Sequence, residues 1–440
     1  MVDVIIIGGG PAGSSIGSYL SMKGISNMII EKDIHPRPHV GESMVTSSSL
    51  VFEELGMLPI MEKEKFVHKG GASWHEPGGR EFAIHFRDLV REDIHQDYTY
   101  HVDRSKLDLL LLKNAQKLGS QVVQGVNVKQ VLFQGNQAVG VRAQLGDQEV
   151  DLHAKIIVDA SGRSTILGRH LNMKKNDPIF NQYAVHAWFE NVHRGDIEET
   201  EDYIHIYFLP VERGWAWQIP ITPEITSVGI VVEREVFRKF KGDMSSYFDT
   251  YVNSNVALSK ALANAHQINE FKTEGDYSYS MDQFVGDGFL LVGDAARFVD
   301  PIFSSGVSIA LYSGRFAADV IENALKVGDF SKEMFIPYQT KLKSGTVIWY
   351  EFIRLYYKLL PLFTHFIQSK KYGIEIHRLL QGDVFDRSEV EVLDAMRRYI
   401  EAVEKKENHI FRAQLTNIPI DEIPETILAE SLAQVSSGND

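Results

Sequence analysis

Four short stretches of this 440-residue chain combine residue types and spacings that could do chemistry. The first, Gly8-Gly9-Gly10-Pro11-Ala12-Gly13, follows the β-branched run Val4 to Ile7 and precedes a helix-like segment through Leu20. Gly8, Gly10 and Gly13 therefore mark a strand-to-helix turn, where a pyrophosphate can sit against free amides at the helix N-terminus. A second strand, Met28 to Ile30, ends in Glu31, an acid 23 residues after Gly8 and close to the spacing that serves ribose hydroxyls. Strand, glycines, helix, strand and acid together predict a dinucleotide site. The second stretch, Asp300-Pro301-Ile302-Phe303-Ser304-Ser305-Gly306-Val307, precedes a helix predicted from Ser308 to Leu325, and consecutive amides at such a turn form an anion nest. In the third, Gly214 to Pro220 reads GWAWQIP and holds two of the five tryptophans. Alternation along a strand puts Trp215 and Trp217 on one face and Ala216 on the other, the pattern of a packed core. The fourth places Lys69 just before Gly70 and Gly71 at the end of the basic run KEKFVHK. A solvated lysine is the ordinary reading; one drawn out of water becomes a strong hydrogen-bond donor or a reactive amine.

The elements that must position these residues follow from composition and periodicity. The length suits two to three packed units, and 44% hydrophobic with 24% charged residues is a globular balance. A formal charge of -14 argues against binding nucleic acid by phosphate neutralisation. With no cysteine, disulfides, thiolate catalysis and sulfur-ligated metals are excluded, and no metal site is expected. The chain lacks a secretory pattern at its start, and the most apolar late segment, residues 349 to 367, carries Glu351, Arg354, Lys358, Pro361 and His365, so no membrane span is expected and the cytoplasm is the expected location. Residues 122 to 160 alternate around turns at Gly135-Asn136 and Gly146-Asp147, a meander. Four alternating runs between 178 and 235 predict an antiparallel sheet, and helical patterning dominates from 332 to about 405.

The opening motif, with Arg104 in HVDRSKLD, the strand IIVDASG at 156 to 162, and Gly293-Asp294-Ala295-Ala296 after Phe289 to Val292, resembles the FAD-dependent monooxygenase-like flavoproteins. The resemblance implies an α/β fold: a three-layer Rossmann-like FAD-binding domain over 1–175 and 270–330, an antiparallel-sheet substrate domain over 176–269, and a C-terminal helical region with a loose tail over 331–440. It implies that Gly8, Gly10, Gly13, Glu31, Ser43, Arg104, Asp294 and Val307 bind FAD. Within that class, GWAWQIP resembles the W-x-W-x-I-P motif of flavin-dependent halogenases (Trp215, Trp217, Ile219 and Pro220), and Lys69 matches their essential lysine. The halogenase resemblance places chloride or bromide on the amides of Ser305 and Gly306 beside Val307. Phe303 departs from the free-tryptophan halogenases, which carry a glutamate there, so the chain looks more like the shorter branch acting on phenols or pyrroles.

The resemblance implies a mechanism. A separate flavin reductase supplies FADH2, a flavin hydroperoxide oxidises halide, and hypohalous acid passes Trp215 and Trp217 to Lys69. The acceptor is an electron-rich ring, with a tyrosyl or phenolic group on an acyl or peptidyl carrier protein expected. An aromatic hydroxylase and an isoprenoid reductase share the fold and stand as alternatives, as does a silent FAD-binding scaffold. Tyr350, Phe352, Tyr356, Tyr357 and Phe363 have the helical spacing of core aromatics, with a substrate cavity as the second reading. Lys370, Lys371, Arg378, Arg397 and Arg398 offer either a solvated face or a landing surface for an acidic carrier.

Overall fold

The computed structural model describes residues 2–88, 96–275, 278–385 and 390–420. The predicted loose tail from 421 onward lies outside the described residues. Val4–Ile7 is buried at all four positions, as an apolar run should be in a strand covered on both faces. It pairs in parallel with Asn27–Glu31 on one side and Ile156–Asp159 on the other. Gln121–Gln124 and Phe289–Leu291 extend the sheet, and the antiparallel pair Val285–Gly286 closes its edge. The helices Pro11–Met22 and Ser305–Val327 cross closely on this sheet: Ser15 Oγ donates to the carbonyl of Leu311 at 3.0 Å, and a Cβ on Gly314 would lie 2.8 Å from the Ile16 nitrogen. The meander Asn127–Gln134, Gln137–Leu145 and Gln148–His153 forms its own sheet and packs on Ile156–Asp159, giving the predicted three layers.

The second sheet is larger than periodicity implied. Its path runs 266–267, 182–190, 225–233, 215–220, 204–208, 71–75 and 81–85, with Lys272–Glu274 also paired to 182–190. The expected unit, residues 176–269, therefore supplies only part of it: the hairpin Gly71–His75 and Glu81–His85 comes from the stretch assigned to the FAD-binding part. The join is a parallel pairing of Ile204–Phe208 with Gly71–His75. Local alternation identifies strands, not their distant partners, so this junction had no local signal. Gly71 admits it sterically, because a Cβ there would lie 2.1 Å from the Ile84 carbonyl oxygen and 2.4 Å from the Tyr203 ring.

Alternation divides the two faces of this sheet. Trp215, Trp217 and Ile219 join the main core, whereas Ala216, Val228 and Ile230 face a second core with Tyr247, Phe248 and Leu258. Trp74, Ile206 and Trp217 are register neighbours on one face. The next position is Gly229, where an added Cβ would lie 2.2 Å from Trp217 Cζ2. Only glycine lets the indole lie flat across its neighbouring strand.

The C-terminal helices are Lys332–Leu359, Phe363–Ile367, Gly373–Leu380 and Glu391–Glu404. Tyr350, Phe352, Tyr356, Tyr357 and Phe363 are all buried, in keeping with the core reading. The charges that argued against a span find partners: Glu351 takes Arg354 at 2.8 Å and Arg397 at 2.6 Å, and Lys358 meets Glu404 at 2.7 Å. Among the described residues, no helix is long and apolar enough to cross a membrane.

Candidate active site

A cavity of about 960 Å³ opens where the two sheets meet. Its first wall is the strand-to-helix turn. Gly8 adopts φ 106°, and a Cβ on it would lie 2.4 Å from the Ala160 carbonyl oxygen; one on Gly13 would lie 1.9 Å from the Gly8 oxygen. These two glycines are required by packing. Gly10, the N-cap, is different: its missing side chain faces the cavity, with Arg37 Nη2 at 3.6 Å the nearest atom. Glu31 Oε2 accepts the Gly9 amide at 2.6 Å and Oε1 the Asp33 amide at 2.9 Å, so its carboxylate is fixed at the tip of its strand.

The loop 40–43 forms the second wall. Arg104 holds it: Nη1 donates to the carbonyls of Val40 at 2.7 Å and Gly41 at 3.2 Å, while Nε and Nη2 engage Asp108. Buried donors here without a hydrogen bond among the described residues, Arg37 Nε and Ser43 Oγ, are what a polar ligand would satisfy. Asp294 closes the third wall, its carboxyl raised to about 6 by burial against the opposing charges of Arg163 and Arg104. A glycine cradle, a fixed acid and orphaned donors match what a dinucleotide needs. FAD would be held by Gly8 and Gly10, Glu31, Ser43, Arg104 and Asp294, with Gly13 acting through packing; Gly13 is not part of the cavity wall.

At the far end, Asp300 Oδ1 accepts the Ile302 amide at 3.0 Å, Ser304 adopts φ 57°, and the helix begins at Ser305. The first amides of a helix have no intrahelical acceptor. Gly306 and Val307 line the cavity with Ser304, whereas Ser305 is buried and does not line it. Phe303 stacks on Phe352 at 4.7 Å and meets Tyr356 edge-on at 4.9 Å, tying this turn to the long C-terminal helix.

Trp215, Trp217 and Ile219 line the cavity from the other sheet; Pro220 ends the strand away from it. Their indoles lie 6.0 Å apart at 49°, and Trp217 Nε1 donates to Ser227 Oγ at 3.1 Å. Lys69 is not among the lining residues. It ends the strand Val67–Lys69, which pairs with Thr99–His101. The lysine is 3% exposed, and its Nζ donates to the Met44 carbonyl at 2.7 Å and lies 5.6 Å from the Phe86 ring centre. Burial alone lowers its pKa to about 7, so ammonium and amine coexist at neutral pH. The basic run thus does not keep Lys69 in water. Met44 directly follows the cavity loop, so lysine and cavity are attached to one segment but face different spaces.

The structure adds residues that sequence reasoning passed over. His101 is fully buried beside Lys69, and burial holds its ring well below the usual imidazole range. Glu42 is buried in the cavity wall. Nothing in their local sequence separates them from ordinary polar positions; only burial does. On the outer sheet face, His75, Glu81 and His205 come close enough to hold a cation. They satisfy one another instead: His205 Nε2 bonds the Thr200 carbonyl at 3.0 Å, His75 Nε2 and His205 Nδ1 are 2.9 Å apart, and Ser73 donates to Glu81 at 2.6 Å. Of the five basic C-terminal residues, Lys370, Arg378 and Arg398 are exposed, Lys371 pairs with Glu391, and Arg397 pairs with Glu351 and Asp394.

Residues 1–315 match the FAD binding domain family. A 1H-pyrrole-2-carbonyl (peptidyl-carrier protein) chlorinase of Pseudomonas fluorescens is 43% identical over 95% of this chain and 97% of its own length. The corresponding brominase of Pseudoalteromonas luteoviolacea is 33% identical over 92% of this chain and 98% of its own. The solved structure of the flavin-dependent brominase Bmp2 superposes with a TM-score of 0.84 at 30% identity, covering 92% of this chain and all of that one. A glycine cradle shaped for FAD, a tryptophan wall and a buried lysine, in a chain this similar to such enzymes, identify it as a member of the flavin-dependent halogenases.

Proposed function

We propose that this enzyme halogenates the ring of a pyrrole-2-carbonyl group carried on a peptidyl carrier protein, with Lys69 directing the halogen. The observation that carries the reading is that Lys69 is buried outside the cavity that Trp215 and Trp217 line. A hydroxylase must bring its substrate to the flavin. A site with its reactive amine outside the flavin cavity suits delivery of a small oxidant to a ring held elsewhere. Two relatives named for pyrrole-2-carbonyl substrates, each similar over nearly the whole chain, support pyrrole over the tyrosyl or phenolic group expected from sequence.

Bound FAD, reduced by a separate reductase, supplies the electrons that turn oxygen and halide into hypohalous acid. The chain does the rest. Of the two residues expected to hold the halide, Gly306 lines the cavity, and its amide holds the ion at the start of the helix, where the dipole favours an anion. The indoles exclude the organic substrate from the flavin and bound the oxidant's route. Lys69, desolvated and oriented by the Met44 carbonyl, receives the halogen and presents it to the ring. Product mass spectrometry with a reductase-coupled system and pyrrolyl-loaded carrier tests this. Halogenated pyrrole from the wild type and none from Lys69→Ala with bound FAD is expected; unchanged halogenation by the variant would overturn the lysine's role.

A further inference from the structure

We propose that Glu42 is the proton donor of the halogenation centre, an inference that rests on the halogenase reading above. Its position is set from both sides. Gly41 is held by Arg104 and lies against the halide turn, since a Cβ built on it comes 4.0 Å from Val307 Cγ2. On the opposite side, Glu42 Oε1 accepts the indole N–H of Trp188 at 2.7 Å. The Ser227 hydroxyl, which receives the Trp217 N–H at 3.1 Å, adjoins the same carboxyl closely enough to favour its ionised form. The other carboxyl oxygen, Oε2, is buried, and the side chain is only 3% exposed in the cavity wall. Glu42 is therefore anchored by Trp188, lies beside the Ser227 hydroxyl that takes the Trp217 N–H, and adjoins the halide turn through its neighbour.

The reaction needs such a group. Reduced flavin, oxygen, halide and one proton give oxidised flavin, hypohalous acid and water, so each turnover consumes a proton inside a site walled from solvent. Glu42 supplies it: the carboxyl O–H bond breaks, the proton ends in the water formed as the O–O bond is cleaved, and the carboxylate is reprotonated from solvent. No further oxidant or reductant is required. Glu31 is unsuited, being committed to two backbone amides. Burial pushes Glu42 up to about 7, opposed by Ser227, Trp188 and Arg104 and reinforced by Asp103, the two charged groups facing it being Arg104 and Asp103. Its proton is thus in place at neutral pH and below.

The test compares wild type, Glu42→Gln and Glu42→Asp. Halogenation of pyrrolyl-carrier is followed from about pH 5.5 to 8.5, where loss of a general acid should cost on the order of 100-fold. The wild-type rate is expected to fall as pH rises past about 7; Glu42→Gln should lose rate and that limb together, and Glu42→Asp should recover part of both. A second readout needs no turnover: tryptophan fluorescence of the flavin-free protein should titrate near neutrality in the wild type through Trp188 and not in Glu42→Gln. FAD affinity should be unchanged. A Gln variant with wild-type rate and pH profile overturns the donor role, as does a rate loss explained by weakened FAD binding. If the wild type makes no halogenated product while the fluorescence still titrates, the halogenase reading itself has failed, and the donor role with it.

Discussion

Replacing Lys69 by methionine should make the protein more stable and catalytically dead. The side chain is 3% exposed, and burial takes its pKa from 10.5 to about 7. At 1.36 kcal/mol per unit, holding this lysine inside costs on the order of 4 kcal/mol at pH 7. Methionine fills a similar volume without the charge but forfeits the hydrogen bond to Met44, roughly 1 to 2 kcal/mol. The net gain is about 2 to 3 kcal/mol, or a rise in melting temperature of about 3 °C for a chain of this length. The pH dependence gives the sign. Between about 7 and 10.5 the unfolded chain binds a proton at this lysine that the native protein does not, so wild-type stability rises with pH across that window. The advantage of Lys69→Met should therefore be full below pH 7 and shrink toward pH 10. Denaturant unfolding of both proteins at several pH values reads this directly. A variant less stable than wild type at pH 7, or a difference that does not change with pH, would refute the claim that the lysine is kept desolvated at a cost in stability.

Further consequences follow from the same geometry. Gly10→Val leaves the protein folded, because the nearest atom to its Cβ is the flexible end of Arg37, but fills the cradle; FAD affinity measured by fluorescence quenching should fall at least about tenfold. Gly229→Ala, whose Cβ would meet the Trp217 ring at 2.2 Å, should lose about 1 to 3 kcal/mol in thermal unfolding and displace that indole. Trp217→Ala opens the wall, so more hypohalous acid should reach a bulk scavenger while product falls; an unaltered ratio would contradict the barrier reading. Charge reversal at Lys370, Arg378 and Arg398, all exposed, should raise KM for carrier-bound substrate and leave kcat alone; an unchanged KM would remove this face as the landing surface.

Much of the fold could be read along the chain because its signals are local. The run Val4 to Ile7, the glycines and Glu31 lie within one βαβ unit, and the alternation in GWAWQIP assigns both indoles to one face without any long-range information. Long-range information is what was missing elsewhere. The hairpin 71–85 joins a sheet whose nearest strand lies far along the chain, and no periodicity announces that partner. Lys69 sits in a charged run that looks solvated; its burial comes from Phe86 and the loop around Met44 folding over it. Glu42 shows nothing by itself, since an acid between a glycine and a serine reads as a turn. Its role follows from Trp188 and Ser227, brought to it by a different sheet.

The most direct test of the whole account is the mass of the product formed from pyrrole-2-carbonyl-loaded carrier when the enzyme is supplied with reductase, FAD, oxygen and either chloride or bromide. The account predicts a ring bearing the halogen supplied, identified by its isotope pattern and abolished in Lys69→Ala. A hydroxylated ring without halogen, or the same halogenated product from the Lys69 variant, would contradict it.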